Sequence, residues 1–228
     1  MNLSKHREFF NPDEFKDEIH IIGCGAIGST IAENLTRLGI NQLHLYDFDT
    51  VSEHNITNQM FYTAHIGLPK LQAIYEICKA INQNIEIILH PEGWKKGTRL
   101  AGHVFVAVDN IETRKEIIDD NFFNCNIKAL YDTRMRLIDA QHFAAEWCTK
   151  SIKFLKSTMD FSREEAAAAT PLSACGTALN VTPTVRIICG FVVSNFLNYV
   201  LHQKLCKTVV INIEQMIVDA FDDDGPRN

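Results

Sequence analysis

The chain has 228 residues, 46% hydrophobic and 22% charged, enough apolar side chains to close one sizeable core and too few residues for two large independent domains. Its 22 basic and 28 acidic residues leave a net charge of -6, which argues against a protein that grips nucleic-acid backbones or anionic membranes by bulk charge. Seven cysteines without a C-x-x-C pair suggest neither a disulfide framework nor a structural zinc clip, and they fit a reducing compartment. No stretch reaches the about 18 consecutive apolar residues of a membrane span, and the N-terminus lacks the apolar region of a signal peptide, so a cytoplasmic protein is expected.

Residues 1–18 are polar with interspersed aromatics and form an N-terminal arm, in which Asn11-Pro12-Asp13 marks a turn or helix start. Ile19-His20-Ile21-Ile22 is strand-like. Glycines follow, then an apolar-periodic helix from Ala26 to Leu38 that stops at Gly39. Leu43 to Asp47 is a second strand and completes a strand-helix-strand unit with a right-handed crossover. The spacing of Leu71, Ile74, Ile77, Cys78 and Ile81 predicts a helix over 68–81, and Ile85 to Leu89 a third parallel strand. His103 to Val108 reads as a strand covered on both faces, ending at Asp109 before a helix from Glu112 to Phe122.

Ile127 to Tyr131 repeats the strand pattern, and Arg136 to Cys148 alternates more loosely, as an edge strand does. The mixed charge, alanine run and Thr170-Pro171 between 151 and 174 suggest a mobile connection carrying a helical piece. A long apolar segment from Thr184 to Leu201 is interrupted by Arg186, Asn195 and Asn198, and reads as a buried or dimer-facing helix. Thr208 to Ile213 and Met216 to Phe221 make a hairpin, and 222–228 an acidic tail. The expected fold is α/β: a Rossmann-like, mostly parallel sheet over residues 19–221, with flanking helices and antiparallel edge strands.

Gly23-Cys24-Gly25-Ala26-Ile27-Gly28 is a G-x-G-x-x-G turn between a strand and a helix, the context that separates a nucleotide turn from a chance match. Glycines allow close approach of phosphates, and the free N–H groups and positive dipole end of the helix favour anions. Asp47 lies about 20 residues beyond, where a carboxylate accepts from ribose hydroxyls. These features alone fit an NAD-dependent oxidoreductase equally well.

The residues after Asp47 go further. Asp47-Phe48-Asp49-Thr50-Val51-Ser52-Glu53-His54-Asn55, then Asn58-Gln59, Gly67-Leu68-Pro69-Lys70 and Val108-Asp109-Asn110 stand in the order D-x-D-x-V-x-x-x-N, x-Q, G-x-x-K, V-D-N. With the glycine turn, this pattern resembles the ThiF/MoeB/HesA superfamily of ubiquitin-activating-type adenylyltransferases, well over 19–132 and more weakly through the helix at 184–201. The resemblance implies an ATP- and magnesium-dependent enzyme that activates the C-terminal carboxylate of a ubiquitin-like protein or peptide, and that forms a homodimer. It implies a nucleotide set of Gly23, Gly25, Ala26, Gly28, Asp47, Asp49, Asn55, Asn58, Gln59 and Lys70. Lys70, Asp109, Arg7 and Arg134 would act in catalysis, with Asp109 holding magnesium and Arg7 reaching a dimer partner's triphosphate.

The match has departures. Asn58 stands where many members carry Arg before Gln, which removes a cation that an amide does not replace. The HN-x-x-NQ variant is similar to phage- and plasmid-associated bacterial members, and makes Arg134 the candidate substitute cation. The lost Arg keeps open a catalytically weakened, partner-binding module. Cys175 is the least unlikely thioester nucleophile, Cys24 reads as a packing residue, and the histidines show no metal or catalytic spacing. The plainer readings are a solvated helix-start lysine for Lys70, a helix cap for Asp109, a strand-end salt bridge for Arg134 and a solvated arm residue for Arg7.

Overall fold

The computed structural model describes residues 1–161, 163–168 and 179–222. Its strands are β1 (Ile19–Ile22), β2 (Gln42–Tyr46), β3 (Glu86–His90), β4 (Gly102–Val106), β5 (Ile127–Met135), β6 (Asp139–Glu146), β7 (Thr208–Asn212) and β8 (Ile217–Phe221). They form one sheet in the order β3-β2-β1-β4-β5-β6-β7-β8. The first five pair in parallel and the last three antiparallel, so the expected α/β class with antiparallel strands at one side is observed. The strand order reverses direction between β1 and β4, which opens a crevice at their carboxyl ends, where open α/β sheets bind ligands.

The helices are α1 (Ala26–Arg37), α2 (Lys70–Ile81), α3 (Ile111–Asp120), α4 (Thr149–Ser157), α5 (Arg163–Ala168) and α6 (Thr182–His202). On one face of the sheet α1, α2 and α6 bury Ile27, Ile31, Leu35, Ile74, Ile188 and Phe196 against Ile19, Ile21, Leu43, Leu45 and Phe105. On the other, Ile117, Ile118, Ile152 and Leu155 from α3 and α4 cover Ile22, Val104, Val106 and Leu130. The 3.6-residue and two-residue periods legible along the chain correspond to these two faces.

One expectation is corrected. The segment after Arg136 does contain a strand, but β6 is interior, with β7 and β8 outside it. Its loose alternation arises because α4 and α6 cover both of its faces, so Phe143, Ala144 and Ala145 are all buried. The connection from 151 begins as packed helix: α4 buries Ser151, Ile152 and Leu155, and Met159 follows it into the core. Residues 169–174 and Cys175 lie outside the described residues. The N-terminal arm is docked, with Phe10 buried and Phe15 against Phe196 at 5.6 Å.

Helix α6 is long and apolar enough to cross a membrane, yet half of its most apolar window is buried in the fold, where it packs on α1 and on β5, β6 and β7. Its Asn195 is buried. The Asn195 carbonyl accepts from Cys206 N–H at 2.8 Å, and its amide donates to the Cys206 carbonyl at 2.8 Å and to His142 Nε2 at 3.0 Å. The two backbone bonds fix the amide's orientation, so Nε2 must be the bare nitrogen and Nδ1–H donates to Thr133 Oγ1 at 3.2 Å. Burial holds the His142 imidazole at about 4, against an ordinary 6.5.

The unfolded chain therefore binds a proton at this position that the folded chain refuses. The stability from His142 is complete above pH 6.5 and is lost as pH falls from there toward 4. Urea unfolding followed across that window is expected to show a loss approaching about 1.4 kcal/mol per pH unit from this group, which His142→Gln should remove.

Candidate functional site

The glycine turn follows β1 and enters α1, with Gly25 as the N-cap. A Cβ on Gly23, whose φ is +89°, would lie 2.8 Å from the Ala107 and Val108 backbone beyond β4. A Cβ on Gly28 would lie 1.9 Å from the Gly23 carbonyl oxygen. These two glycines are demanded by packing. Gly25 differs, because a Cβ there meets nothing within 4 Å. Its bare backbone faces open space beside a helix start that has no side-chain cap and no acid in its first turn, an arrangement suited to an anion.

Asp47, just past β2, ties this turn to the next segment. Its Oδ2 accepts from Cys24 N–H at 2.6 Å and its Oδ1 from Asp49 N–H at 2.8 Å. A carboxylate has about four acceptor positions, so two remain for hydroxyl donors. Asp49 in turn accepts from Lys70 Nζ at 2.7 Å. The two segments are joined by backbone bonds as well: Val51 N–H to the Leu68 carbonyl, Gly67 N–H to Val51, and Lys70 N–H to Asp49, each 2.9 Å. The D-x-D-x-V and G-x-x-K stretches are thus one structure, and they place Lys70 at the first position of α2.

Lys70 is buried, with 7% of its surface exposed, at a helix N-terminus that repels cations. Asp49 alone among the described residues neutralises it. The solvated helix-start reading is therefore wrong for this lysine. Asn55 is also buried, and its Oδ1 is committed to Ser52, accepting from the backbone N–H and from Oγ at 2.9 Å each. It closes the turn after Val51. Asn58 is buried beside it, and Gln59 Oε1 is a buried polar atom without a partner among the described residues, on the segment that lies across from α1. An orphaned acceptor of this kind costs stability unless a ligand supplies a donor.

Asp109 stands exposed after β4, and no hydrogen bond or ion pair holds its carboxylate among the described residues. The capping of α3 falls to its neighbour Asn110, whose Oδ1 accepts from Glu112 and Thr113 N–H at 2.8 and 3.2 Å. The backbone leading into Asp109 is held by Arg114. This buried guanidinium donates to the carbonyls of Val106, Val108 and Thr133 and to the Asp132 carboxylate. Nothing in the local spacing of Arg114 announces this role, because its partners come from three separate stretches.

Arg134 donates to Asp132 through Nε at 2.8 Å and to Thr158 through the carbonyl at 2.6 Å and Oγ1 at 2.9 Å. It also lies over the Phe143 ring at 4.6 Å. The structure brings Arg134 to Asp132 rather than to the glycine turn. Arg7 is exposed and paired with Asp13 of its own arm. A cation not singled out from the sequence does reach the turn's helix: Arg186 on α6 donates to Thr30 Oγ1 at 3.1 Å and touches Met60, next to Gln59. Cys24 is fully buried, and desolvation followed by the Asp47 charge raises its thiol pKa, consistent with packing.

The ThiF family model matches residues 15–223. The chain belongs to the ThiF family. Among curated proteins it is similar to ubiquitin-like modifier-activating enzyme 5 of Branchiostoma floridae, 35% identical over an alignment of 117 residues, with 43% of this chain and 29% of that protein covered. The Gallus gallus counterpart is 40% identical over 73 residues, 32% of this chain and 18% of its own. Alignments to these curated relatives thus span less than a third of their length. In three dimensions the chain superposes on E. coli MccB with a TM-score of 0.73 at 14% identity, covering 95% of this chain and 65% of that one. MccB with ATP gives 0.70 at 15% identity, covering 92% and 65%. PaaA gives 0.67 at 16%, covering 90% and 63%. These structures show the same fold.

The glycine geometry separates structure from site. Gly28→Ala is expected to lower the melting temperature by about 5–10 °C through overpacking against Gly23, whereas Gly25→Ala should melt within about 2 °C of the parent protein. Differential scanning calorimetry distinguishes the two.

The Asp132 carboxylate is fully buried between two guanidinium groups. Asp132→Asn leaves both charges short of a partner and is expected to cost about 3–5 kcal/mol in chemical denaturation.

Proposed function

We propose that the chain binds ATP in the crevice between β1 and β4 and adenylates the C-terminal carboxylate of a ubiquitin-like protein or of a peptide. The observation that carries this reading is the buried Lys70–Asp49 pair, set by shared backbone bonds beside Asp47 and the glycine turn. A cation kept dry at a helix start is costly for folding alone, and suits a site that must meet a polyphosphate.

In this reading the phosphates lie along the open side of Gly25 and the N–H groups of Ala26 and Gly28. Asp47 accepts from the ribose hydroxyls with its remaining lone pairs, and Gln59 receives a donor from the nucleotide. The donor set fits magnesium: Asp109 supplies an exposed hard oxygen at the mouth of the crevice. When bound, magnesium neutralises charge on the phosphate oxygens and on the departing pyrophosphate.

The acceptor's carboxylate oxygen attacks the α-phosphorus. A carboxyl–phosphorus bond forms, the α–β anhydride bond breaks, and pyrophosphate leaves with the bonding pair. Lys70 moves its ammonium from Asp49 onto the phosphates as their charge develops. Arg186, already near Thr30 and Met60, offers the positive charge that Asn58 lacks. A homodimer would bring the partner copy's arm, with its own arginine, to this crevice. MccB has been crystallised with ATP and with MccA, which supports a nucleotide and a peptide as the paired substrates here. A cytoplasmic setting belongs to the same reading.

A second reading, a partner-binding module with weakened catalysis, is favoured by the engagement of Arg134 with Asp132 and Thr158. ATP–pyrophosphate exchange, run with magnesium and acceptors that end in a free glycine, separates the two. Exchange is expected in the parent protein, with a loss of about 100-fold or more in Lys70→Ala and in Asp109→Ala at unchanged melting temperature. ATP binding without exchange for any acceptor would favour the module, and full exchange in both variants would overturn the site.

A further inference from the structure

Val106 and Asp132 are the last residues that β4 and β5 pair; β4 ends there, while β5 runs on to Met135 against β6. The buried guanidinium of Arg114 lies where the two chains part. Its Nη1 donates to the Val106 carbonyl at 3.2 Å and to the Asp132 carboxylate. Its Nη2 donates to the Val108 carbonyl and, at 3.0 Å, to the Thr133 carbonyl. Each terminal nitrogen thus joins one acceptor on the β4 side to one on β5.

One of these bonds bears on Asp109. A peptide unit is planar, and the plane that carries the Val108 carbonyl ends at the Asp109 Cα. By holding that carbonyl, Nη2 holds the stem from which the carboxylate projects. The preceding peptide unit is fixed by β1 and the glycine turn: Ala107 N–H donates to the Ile22 carbonyl at 2.8 Å, and a Cβ on Gly23 would lie 2.8 Å from the Ala107 carbonyl and the Val108 nitrogen. On the far side Asn110 is committed as the cap of α3, and its carbonyl accepts from Arg114 N–H at 3.3 Å. Asp109 is therefore an exposed carboxylate on a stem clamped at both ends.

We infer that Arg114 is a positioning residue: buried beneath the loop, it sets where the Asp109 carboxylate stands, and the magnesium affinity of the nucleotide-loaded crevice depends on it. The inference rests on the adenylation reading above, in which Asp109 meets magnesium. Magnesium accepts only near-octahedral geometry at about 2.0–2.1 Å, so a carboxylate held out of place is a poor ligand for it.

The shape of the cation matters as well as its charge. Guanidinium is a planar fork whose nitrogens take acceptors in fixed directions, whereas an ammonium is a single point charge. A lysine at this position keeps a cation beside Asp132 but cannot bridge both pairs of acceptors. Neutralising Asp132 is not the whole task, since Arg134 donates to the same carboxylate through Nε at 2.8 Å. What Arg114 adds is the grip on the two β4-side carbonyls.

The full chain is titrated by calorimetry with α,β-methylene-ATP, whose α–β bridge is not cleaved, once with excess magnesium and once with EDTA. The readout is the ratio of the two dissociation constants, which a loss of stability alone does not move in folded protein. The parent is expected to bind about 30-fold tighter with magnesium. Arg114→Lys should keep the EDTA value within about twofold and lose about tenfold of the tightening. In an Asp109→Asn background, where no carboxylate is left to place, Arg114→Lys should change the ratio by less than about twofold. Asp109→Glu leaves the arginine network intact and carries the carboxylate one methylene farther on a fixed stem, so it too should lose about tenfold. Circular dichroism checks folding, and Asp109→Glu keeps the inference testable if Arg114→Lys does not fold. Full tightening in either single variant, an equal loss from Arg114→Lys in both backgrounds, or no tightening in the parent would overturn the inference while nucleotide binding stands. A parent that binds the analogue under neither condition overturns the adenylation reading, and the inference with it.

Discussion

Contact between the loop after β1 and the loop after β4 is the constraint on which the candidate site depends. Gly23 touches the Ala107 and Val108 backbone so closely that no side chain fits between them. The glycine turn therefore sits against the strand end that presents Asp109, and Gly28 packs beneath Gly23 to aim the first turn of α1 into the space left over. The crevice is a consequence of strand order, since β1 and β4 are neighbours whose helices leave on opposite sides of the sheet. What chemistry it holds is decided by side chains brought from beyond β2.

Two charge systems frame it, and they differ in character. On one side Asp132 lies fully buried between Arg114 and Arg134, with carbonyls and a threonine hydroxyl taking the remaining donors. Such a saturated network stiffens the ends of β4 and β5 and has no vacancy for a substrate. On the other side Asp49 and Lys70 form a single pair in which the carboxylate is half exposed and the amine is not. The first arrangement is a foundation and the second a working surface. The contrast explains why an arginine close to the sheet's carboxyl edge is spent on structure while a lysine on the next helix carries the proposed chemistry.

How much could be read from the residues in order depended on distance along the chain. Strands such as His103 to Val106 and helices such as α1 and α2 follow from local apolar periods, and Gly39, with φ of +90°, ends the helix where a glycine stop is expected. The glycine turn, Asp47 and Lys70 were legible because each sits at a marked place in a short ordered pattern. The interior position of β6 was not, since the hairpin that covers it arrives more than sixty residues later. Nor was Arg114, whose four acceptors are scattered over β4, its following loop and β5. The histidines gave no local spacing because parallel pairing, not helical repeat, sets His20 beside His44. Residues that meet across a sheet leave no mark in either segment alone.

Lys70 bears on how quickly the crevice can respond. Its amine is already dehydrated and already aimed, with one half-exposed carboxylate as its sole counterweight among the described residues. In the proposed function, an incoming polyanion has no hydration shell to strip from that amine and no long side chain to immobilise, and needs only to displace Asp49 from it. The work of arranging this charge is done during folding, so recognition reduces to an exchange of one oxygen for another.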